Sequence, residues 1–305
     1  MTSLKGPENV ASLFEYLNRR NLILSYLEED IGSGDITSEL VLPRGFYTEA
    51  EVWYKGTPEN AVICGVEEAC LALEICGCYT TKLVEDGDFV NNKQHVIAVK
   101  GDAMAILKAE RTALNLLMRM SGVATESRKY GVLLKKLGVD TLITATRKTS
   151  PGMRIFDKKA ITIGGGYPHR IGLYDMILIK DNHVAIVGNA SDCVKKARKQ
   201  VGKNQKIECE VQSEDELISV VLAGADIVML DNFSVDNAKR AMSKLCDLGL
   251  RNRVRVEISG GINESNFQDF AQLNPDFISV GSLTHSAQAV DFSMIVKTRN
   301  NPSNL

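Results

Sequence analysis

Two short apolar runs, Leu142 to Ala145 and Met176 to Ile179, each lead directly into charged and polar residues: Arg147 and Lys148 after the first, Lys180, Asp181, Asn182 and His183 after the second. Between them Arg154 to Ile163 has helical spacing, and Gly164, Gly165 and Gly166 open a loop that carries His169 and Arg170. Each apolar run reads as a buried strand that ends in chemistry, so Arg147, Lys148, His169, Arg170 and Lys180 gather on the C-terminal side of neighbouring strands. Such a concentration of cations suits an anion with several negative groups, because guanidinium forks and ammonium groups match carboxylates and phosphates. Most surface charges are merely solvated. Placement separates these from that background, since a charge directly after an apolar strand in a βα repeat sits at the mouth of the sheet, where such folds keep their active sites.

The elements that must position these residues follow a regular rhythm from about residue 140. Strands are predicted at 142–146, 176–180, 206–211, 226–230, 254–258 and 277–280, with helices near 190–201, 213–223, 234–247 and 264–271 and a last helix near 286–297. Alternating strands and helices predict a parallel sheet, closed or nearly closed into a barrel. Further strand ends add Glu210, then Asp231 and Asn232, then Ser259-Gly260-Gly261, then Gly281-Ser282 to the same rim. The last two are small glycine loops followed by helix starts, which suits backbone N–H groups cradling a phosphate. Glu210 and Asp231 could hold a hydrated Mg²⁺, which binds through one or two carboxylates plus substrate phosphates. Equally, they could pair with the neighbouring lysines as an internal ion network.

Upstream, residues 9 to 29 carry apolar positions such as Val10, Leu13, Phe14 and Leu17 at helical spacing, followed by the turn-rich GSGDITSEL. Short strands at 48–54, 79–84 and 95–100, with a helix at 66–75, describe an α+β unit. Residues 103 to 137 form the longest helical pattern, with Gly122 and Gly131 as breaks or close-packing points. Arg111 lies in this helix, where a plain surface arginine would lie over the core on its alkyl stem.

Composition bounds the partners. A net charge of −2 over 305 residues excludes the strongly basic character of a general nucleic-acid binder, so an anion site must be local. Seven cysteines, an odd number without metal-knuckle spacing, fit reduced thiols packed as small core residues in a cytoplasmic protein. No apolar segment approaches the roughly 20 residues that cross a bilayer, and the N-terminus lacks a signal-peptide core. The final residues 301–305 are polar and expected to be loose.

Several stretches, taken together and in order, resemble one family. Gly34-Asp35-Ile36-Thr37, Glu110-Arg111-Thr112-Ala113-Leu114-Asn115, Thr146-Arg147-Lys148-Thr149-Ser150-Pro151-Gly152, Gly164-Gly165-Gly166 with His169-Arg170, Leu178-Ile179-Lys180-Asp181-Asn182-His183, Met229-Leu230-Asp231-Asn232-Phe233 and Ser259-Gly260-Gly261-Ile262 are similar to the motifs of quinolinate phosphoribosyltransferases. The resemblance spans nearly the whole chain. It implies an α/β subunit with an N-terminal α/β sandwich domain over 1–120, an incomplete (β/α) barrel with a parallel sheet over 121–290, and a tail over 291–305. It implies the Mg²⁺-dependent reaction of quinolinate with phosphoribosyl pyrophosphate to nicotinate mononucleotide, pyrophosphate and CO₂, in NAD biosynthesis. It also implies a homodimer or assembly of dimers with shared active sites, Arg111 reaching into the neighbouring subunit's site. By the same resemblance Arg147, His169 and Arg170 contact the quinolinate carboxylates, Lys148 and Lys180 lie near both substrates, Glu210 and Asp231 serve the ribose hydroxyls and metal, and Ser259, Gly260, Gly261 and Gly281 take the ribose phosphate. One departure is Pro168, which precedes His169 where many members have Asn. Competing readings are a Schiff-base aldolase using Lys180, a catalytically silent homologue that binds the same anion, and a phosphoribosyltransferase for another aromatic acid such as nicotinate.

Overall fold

The computed structural model of the chain describes residues 10–297 apart from 57 and 202–204, and side chains from residue 17 onward. The expected loose end at 301–305 and the side chains of the apolar positions Val10, Leu13 and Phe14 therefore lie outside what is described. The chain divides into two compact units, one of 1–125 with 287–305, the other Glu126–Ser286.

The first unit begins with α1 (Val10–Ile31) and α2 (Ile36–Val41), followed by β1 (Tyr47–Tyr54), β2 (Ala61–Val62), α3 (Val66–Ile75), β3 (Tyr79–Lys82), β4 (Phe89–Val90), β5 (His95–Asp102) and the start of α4 (Ala103–Leu137). Part of the GSGDITSEL stretch expected as loop is helix α2. Asp35 caps it, accepting the Ser38 backbone N–H at 3.0 Å, which satisfies one of the donors a helix start leaves open. Along β1 burial alternates, with Ala50, Val52 and Tyr54 inside, the period of a strand with one covered face.

The segment expected as a last helix near 286–297, its end overlapping the start of the expected tail, is strand over 292–297. Phe292–Lys297 forms β12, antiparallel to β1 from Tyr54↔Phe292 to Glu49↔Lys297, giving a four-stranded sheet in the order β12-β1-β5-β3. The edge of β1 offered unpaired backbone groups, and Lys297 adds an ion pair to Glu51 at 2.5 Å. A long-range pairing partner outweighs local helical spacing in so short a segment.

Helix α4 runs through both Gly122 and Gly131 without a break. Gly131 has open space around it, whereas any Cβ at Gly122 would overlap the backbone carbonyl of Gln288. Gly122→Ala is expected to destabilise the fold by about 1–3 kcal/mol, since backbone rather than a flexible side chain must yield; urea unfolding of the variant checks this.

The second unit contains β6 (Leu142–Thr144), α5 (Arg154–Ile163), β7 (Ile177–Ile179), α6 (Asp181–Val187), α7 (Ala190–Val201), β8 (Ile207–Val211), α8 (Glu214–Leu222), β9 (Ile227–Asp231), α9 (Val235–Asp247), β10 (Arg255–Ser259), α10 (Phe267–Ala271), β11 (Phe277–Ser279) and α11 (Ser282–His285). Its strands form a parallel six-stranded sheet in the order β6-β11-β10-β9-β8-β7. The edge of β6 carries one further parallel bridge, Thr144 to Tyr167, so the segment before His169 lies where another barrel strand would run. Helices α8 and α9 start on Ser213 and Ser234, whose hydroxyls accept the backbone N–H of Glu216 and Asn237 at 3.2 Å. These caps fix where each strand's outgoing loop ends.

Candidate active site

Register places the rim residues together. Neighbouring residues on parallel strands share a face, so the pairing of Ser259 with Asp231, and of Glu210 two positions past Glu208, sets these side chains at the C-terminal end of the barrel interior. Lys180 follows β7 and caps α6, and its ammonium is ion-paired with Glu210. The internal pairing weighed for the carboxylates is thus present for Glu210. The other carboxylate, Asp231, accepts the amide of Asn232 at 2.8 Å.

The loops after β10 and β11 are shaped for close approach. Gly260 and Gly261 have φ of +94° and +63°, and a Cβ on Gly260 would stand 2.7 Å from the backbone nitrogen of Asn232. Ser259 in turn accepts the Asn232 backbone N–H through its carbonyl at 2.9 Å. Gly281 lies beside the Lys148 side chain and the His285 ring, and the Thr284 hydroxyl donates to the Lys148 carbonyl at 2.9 Å. Lys148 itself is exposed. Gly260→Ala should raise the KM for a phosphate-bearing substrate by about tenfold or more with a smaller effect on an aromatic co-substrate, because both the left-handed backbone and the approach to Asn232 oppose a side chain; steady-state kinetics with each substrate varied separates the two.

Arg147 and Arg170 face each other electrostatically. The Arg147 Nε is buried and has no hydrogen-bond partner among the described residues. Arg170 is 8% exposed, and burial first, then the positive charge of Arg147, hold it below the ordinary arginine range. Two like charges kept close, one with an unused buried donor, form a seat for an anion.

His169 is placed deeper than the sequence implied. Its side chain is 8% exposed, its Nε2 lies 3.1 Å from Glu208 and 3.2 Å from Glu257, and both carboxylates are fully buried. The ring nitrogen is not aligned for a hydrogen bond to either, so the carboxylates act on it as close charges. The Arg170 backbone N–H lies 2.8 Å from Nδ1, which accepts it when the ring is neutral. Burial opposes a charged ring, but the two carboxylates outweigh it and raise the His169 pKa, while burial and then the charge of Glu257 push Glu208 upward. Glu257 also accepts the Ser279 hydroxyl at 2.5 Å, and Ser279 bonds Thr144 at 2.8 Å. Below the mouth the barrel therefore holds a polar layer.

Pro168 is pinned from the other side, its carbonyl accepting from Lys158 on α5. Lys158 is 3% exposed, and burial followed by the charge of Arg154 brings it down to about 8. Glu208, Glu257 and Lys158 did not emerge from the strand-end reading. The available signal was period two: Glu208 and Glu257 lie two positions before Glu210 and Ser259 on otherwise apolar strands, hence on the same inward face.

Arg111 is exposed on α4, 3.9 Å from Glu110. A cavity of about 550 Å³ opens at the opposite, N-terminal end of the strands, lined by Tyr167, His169, Met176, Ile227, Arg255 and Phe277 among others. It lies away from Lys180, Glu210 and Asp231, so side-chain chemistry rather than cavity size marks the site.

Comparison with known proteins agrees with this fold. The family description "Quinolinate phosphoribosyl transferase, C-terminal domain" matches residues 123–295, and the N-terminal domain of the same family matches 35–121. A probable nicotinate-nucleotide pyrophosphorylase [carboxylating] of Methanothermobacter thermautotrophicus is 40% identical over 277 residues, covering 91% of this chain and 98% of that protein. A nicotinate-nucleotide pyrophosphorylase [carboxylating] of Mycobacterium leprae is 35% identical over 285 residues, covering 92% and 98%. The solved structure of the nicotinate-nucleotide pyrophosphorylase from Francisella tularensis superposes with a TM-score of 0.84 at 35% identity, covering 97% of this chain and all of that one. Matched in both domains and over nine-tenths of its length, the chain belongs to the quinolinate phosphoribosyl transferase family.

Proposed function

We propose that the protein is a carboxylating nicotinate-nucleotide pyrophosphorylase of NAD biosynthesis, transferring the phosphoribosyl group of phosphoribosyl pyrophosphate to quinolinate and releasing pyrophosphate and CO₂. The observation that carries it is the buried, unpartnered Arg147 donor beside Arg170. Quinolinate brings two adjacent carboxylates, and paired guanidinium groups fix such a ring in one orientation while neutralising it.

The steps follow from the rim. Arg147 and Arg170 hold the ring carboxylates and point the pyridine nitrogen at the ribose. Ser259, Gly260, Gly261 and Gly281 offer backbone N–H groups to the ribose phosphate, and Lys148 lies beside Gly281 to share that charge. The nitrogen forms a bond to the anomeric carbon as the bond to pyrophosphate breaks, through an oxocarbenium-like state whose departing charge Lys148 and Lys180 stabilise. Glu210 orients the ribose hydroxyls and is ion-paired with Lys180. That contact occupies the Lys180 amine, whereas a Schiff-base lysine must present its amine to a carbonyl. Once alkylated, the ring nitrogen is positive, so the adjacent C–CO₂ bond can break with its electron pair left on the ring carbon, which then takes a proton. No residue is covalently modified.

Glu210 and Asp231 would hold Mg²⁺; two carboxylates at the mouth, one already bearing a cation in Lys180, are the oxygen donors this ion takes. When bound, it supplies positive charge to the pyrophosphate oxygens. We infer further that the protein acts as a homodimer or assembly of dimers with Arg111 serving the neighbouring site, and works in the cytoplasm; no helix among the described residues is long and apolar enough to cross a membrane, and the seven cysteines are free.

The test is product analysis. Incubation with quinolinate, phosphoribosyl pyrophosphate and Mg²⁺ should yield nicotinate mononucleotide and pyrophosphate in equal amounts, identified by mass. Chelation should stop the reaction. Nicotinate in place of quinolinate should yield none; turnover of nicotinate instead would overturn the dicarboxylate assignment.

A further inference from the structure

The buried pair Glu208 and Glu257 has no role in the reaction as described, and it is a poor device for stability. Glu208 is fully buried, and neither of its oxygens has a hydrogen-bond partner among the described residues. A carboxylate in that condition is costly, and cores that replace such groups with apolar residues often gain stability. What the pair does contact is His169, at 3.1 and 3.2 Å.

His169 is also where the backbone is strained. Its φ is +54°, a left-handed conformation that non-glycine residues adopt at a penalty unless their surroundings hold them there. In an extended segment consecutive side chains point to opposite faces. Here both His169 and Arg170 are turned inward: His169 meets Glu208 and Glu257, while the buried Arg170 guanidinium donates to the Met176 carbonyl at 3.5 Å and lies among the charges of Arg147, Glu208, Asp175 and Glu210. The left-handed turn at His169 is what places two successive side chains on one side. Its ring is held at both ends, Nε2 by the carboxylates and Nδ1 by the Arg170 backbone N–H, so the same side chain fixes the start of the Arg170 backbone.

We propose that Glu208 and Glu257 are positioning residues, a buried carboxylate clamp that holds His169 in its left-handed conformation and so turns Arg170 into the mouth to receive a ring carboxylate of the substrate. This deepens the function proposed above and rests on it. A cation among the same three residues is the competing use. It is disfavoured because Nδ1 accepts the Arg170 N–H, which puts the ring proton on Nε2 and leaves no lone pair there for a metal. Glu257 is itself set by Ser279 and Thr144, so the clamp is anchored across β6, β11 and β10.

The test compares Glu208→Leu, Glu257→Gln, His169→Gly and His169→Ala, with thermal melting of each. The carboxylate variants should raise the KM for quinolinate about tenfold or more and leave that for phosphoribosyl pyrophosphate within about twofold, while Glu208→Leu melts at or above the wild-type temperature, a combination that a merely structural role would not produce. Glycine is at ease at positive φ and alanine is not, so His169→Gly should bind quinolinate several-fold more tightly than His169→Ala. Adding Glu208→Leu to His169→Gly should cost no further affinity, because the clamp no longer has anything to hold. Unchanged quinolinate KM in both carboxylate variants, equal losses for both substrates, or alanine matching glycine at 169 would overturn the clamp. The glycine and alanine pair decides the matter even if Glu208→Leu fails to fold. Calorimetric titration of quinolinate reads the same step without turnover. A wild-type protein that binds quinolinate but does not convert it would therefore fail the proposed function while leaving the clamp open to the same comparison.

Discussion

Arg147→Ala is expected to raise the KM for quinolinate by two orders of magnitude or more, with the KM for phosphoribosyl pyrophosphate changed no more than about threefold. The Arg147 Nε is a buried donor without a partner of its own, so nothing else in the described residues competes for it. A guanidinium fork on a carboxylate makes two charge-assisted hydrogen bonds, each worth about 1.5–3 kcal/mol net, and about 3 kcal/mol already corresponds to more than a hundredfold in affinity. In the proposed reaction the second substrate is held at other strand ends, by the glycine loops after β10 and β11, which the substitution leaves untouched. Arg147→Lys should recover only a small part, since an ammonium keeps the charge and loses the fork. Initial-rate measurements with each substrate varied against the other check the split. Equal losses for both substrates would remove Arg147 from the ring and return it to general electrostatics.

Mixing two inactive variants should restore activity. Arg111→Ala and Lys180→Ala proteins, each expected to retain well under a hundredth of wild-type turnover, are predicted to recover up to about a quarter of it after dissociation and random reassociation. The figure follows from two-fold symmetry: half the dimers are mixed, and one of the two sites in each mixed dimer has an intact barrel and an intact partner arginine. Arg111 is 60% exposed and lies 3.9 Å from Glu110, too far to be held firmly. An exposed arginine is free to serve a neighbour. Activity of verified mixed dimers that stays at the level of the parents would show that each subunit completes its own site and that Arg111 acts elsewhere.

Much of the barrel mouth was legible because Arg147, Lys148, Lys180, Glu210, Asp231 and Ser259 lie at or just past the ends of apolar runs. Lys180 after Ile177–Ile179 and Asp231 at the end of Ile227–Asp231 could be placed from strand length alone, and the six parallel strands appear where the apolar runs are. Glu208 and Glu257 were not legible in this way. A lone carboxylate inside an apolar strand gives no sign of whether it faces a barrel interior or a solvated edge until the register is known. The depth of His169 depends on the same closure, together with a backbone conformation that residue type does not announce.

The remaining differences also trace to long-range partners. Phe292–Lys297 is a strand because β1 has an edge to offer, a fact carried by residues some 240 positions earlier. Gly122 is a packing point because Gln288 returns against α4. Helix α2 is different, since its signal was local: Asp35 ahead of Ser38 is an ordinary capping arrangement that the surrounding glycines masked.

The most direct measurement is release of labelled CO₂ from quinolinate carrying the label in the carboxylate adjacent to the ring nitrogen. With the folded protein, release should require both phosphoribosyl pyrophosphate and Mg²⁺ and should equal the nicotinate mononucleotide formed. No release with both present, from protein that still binds quinolinate, would contradict the account and leave the barrel as a binding site for the anion without the chemistry.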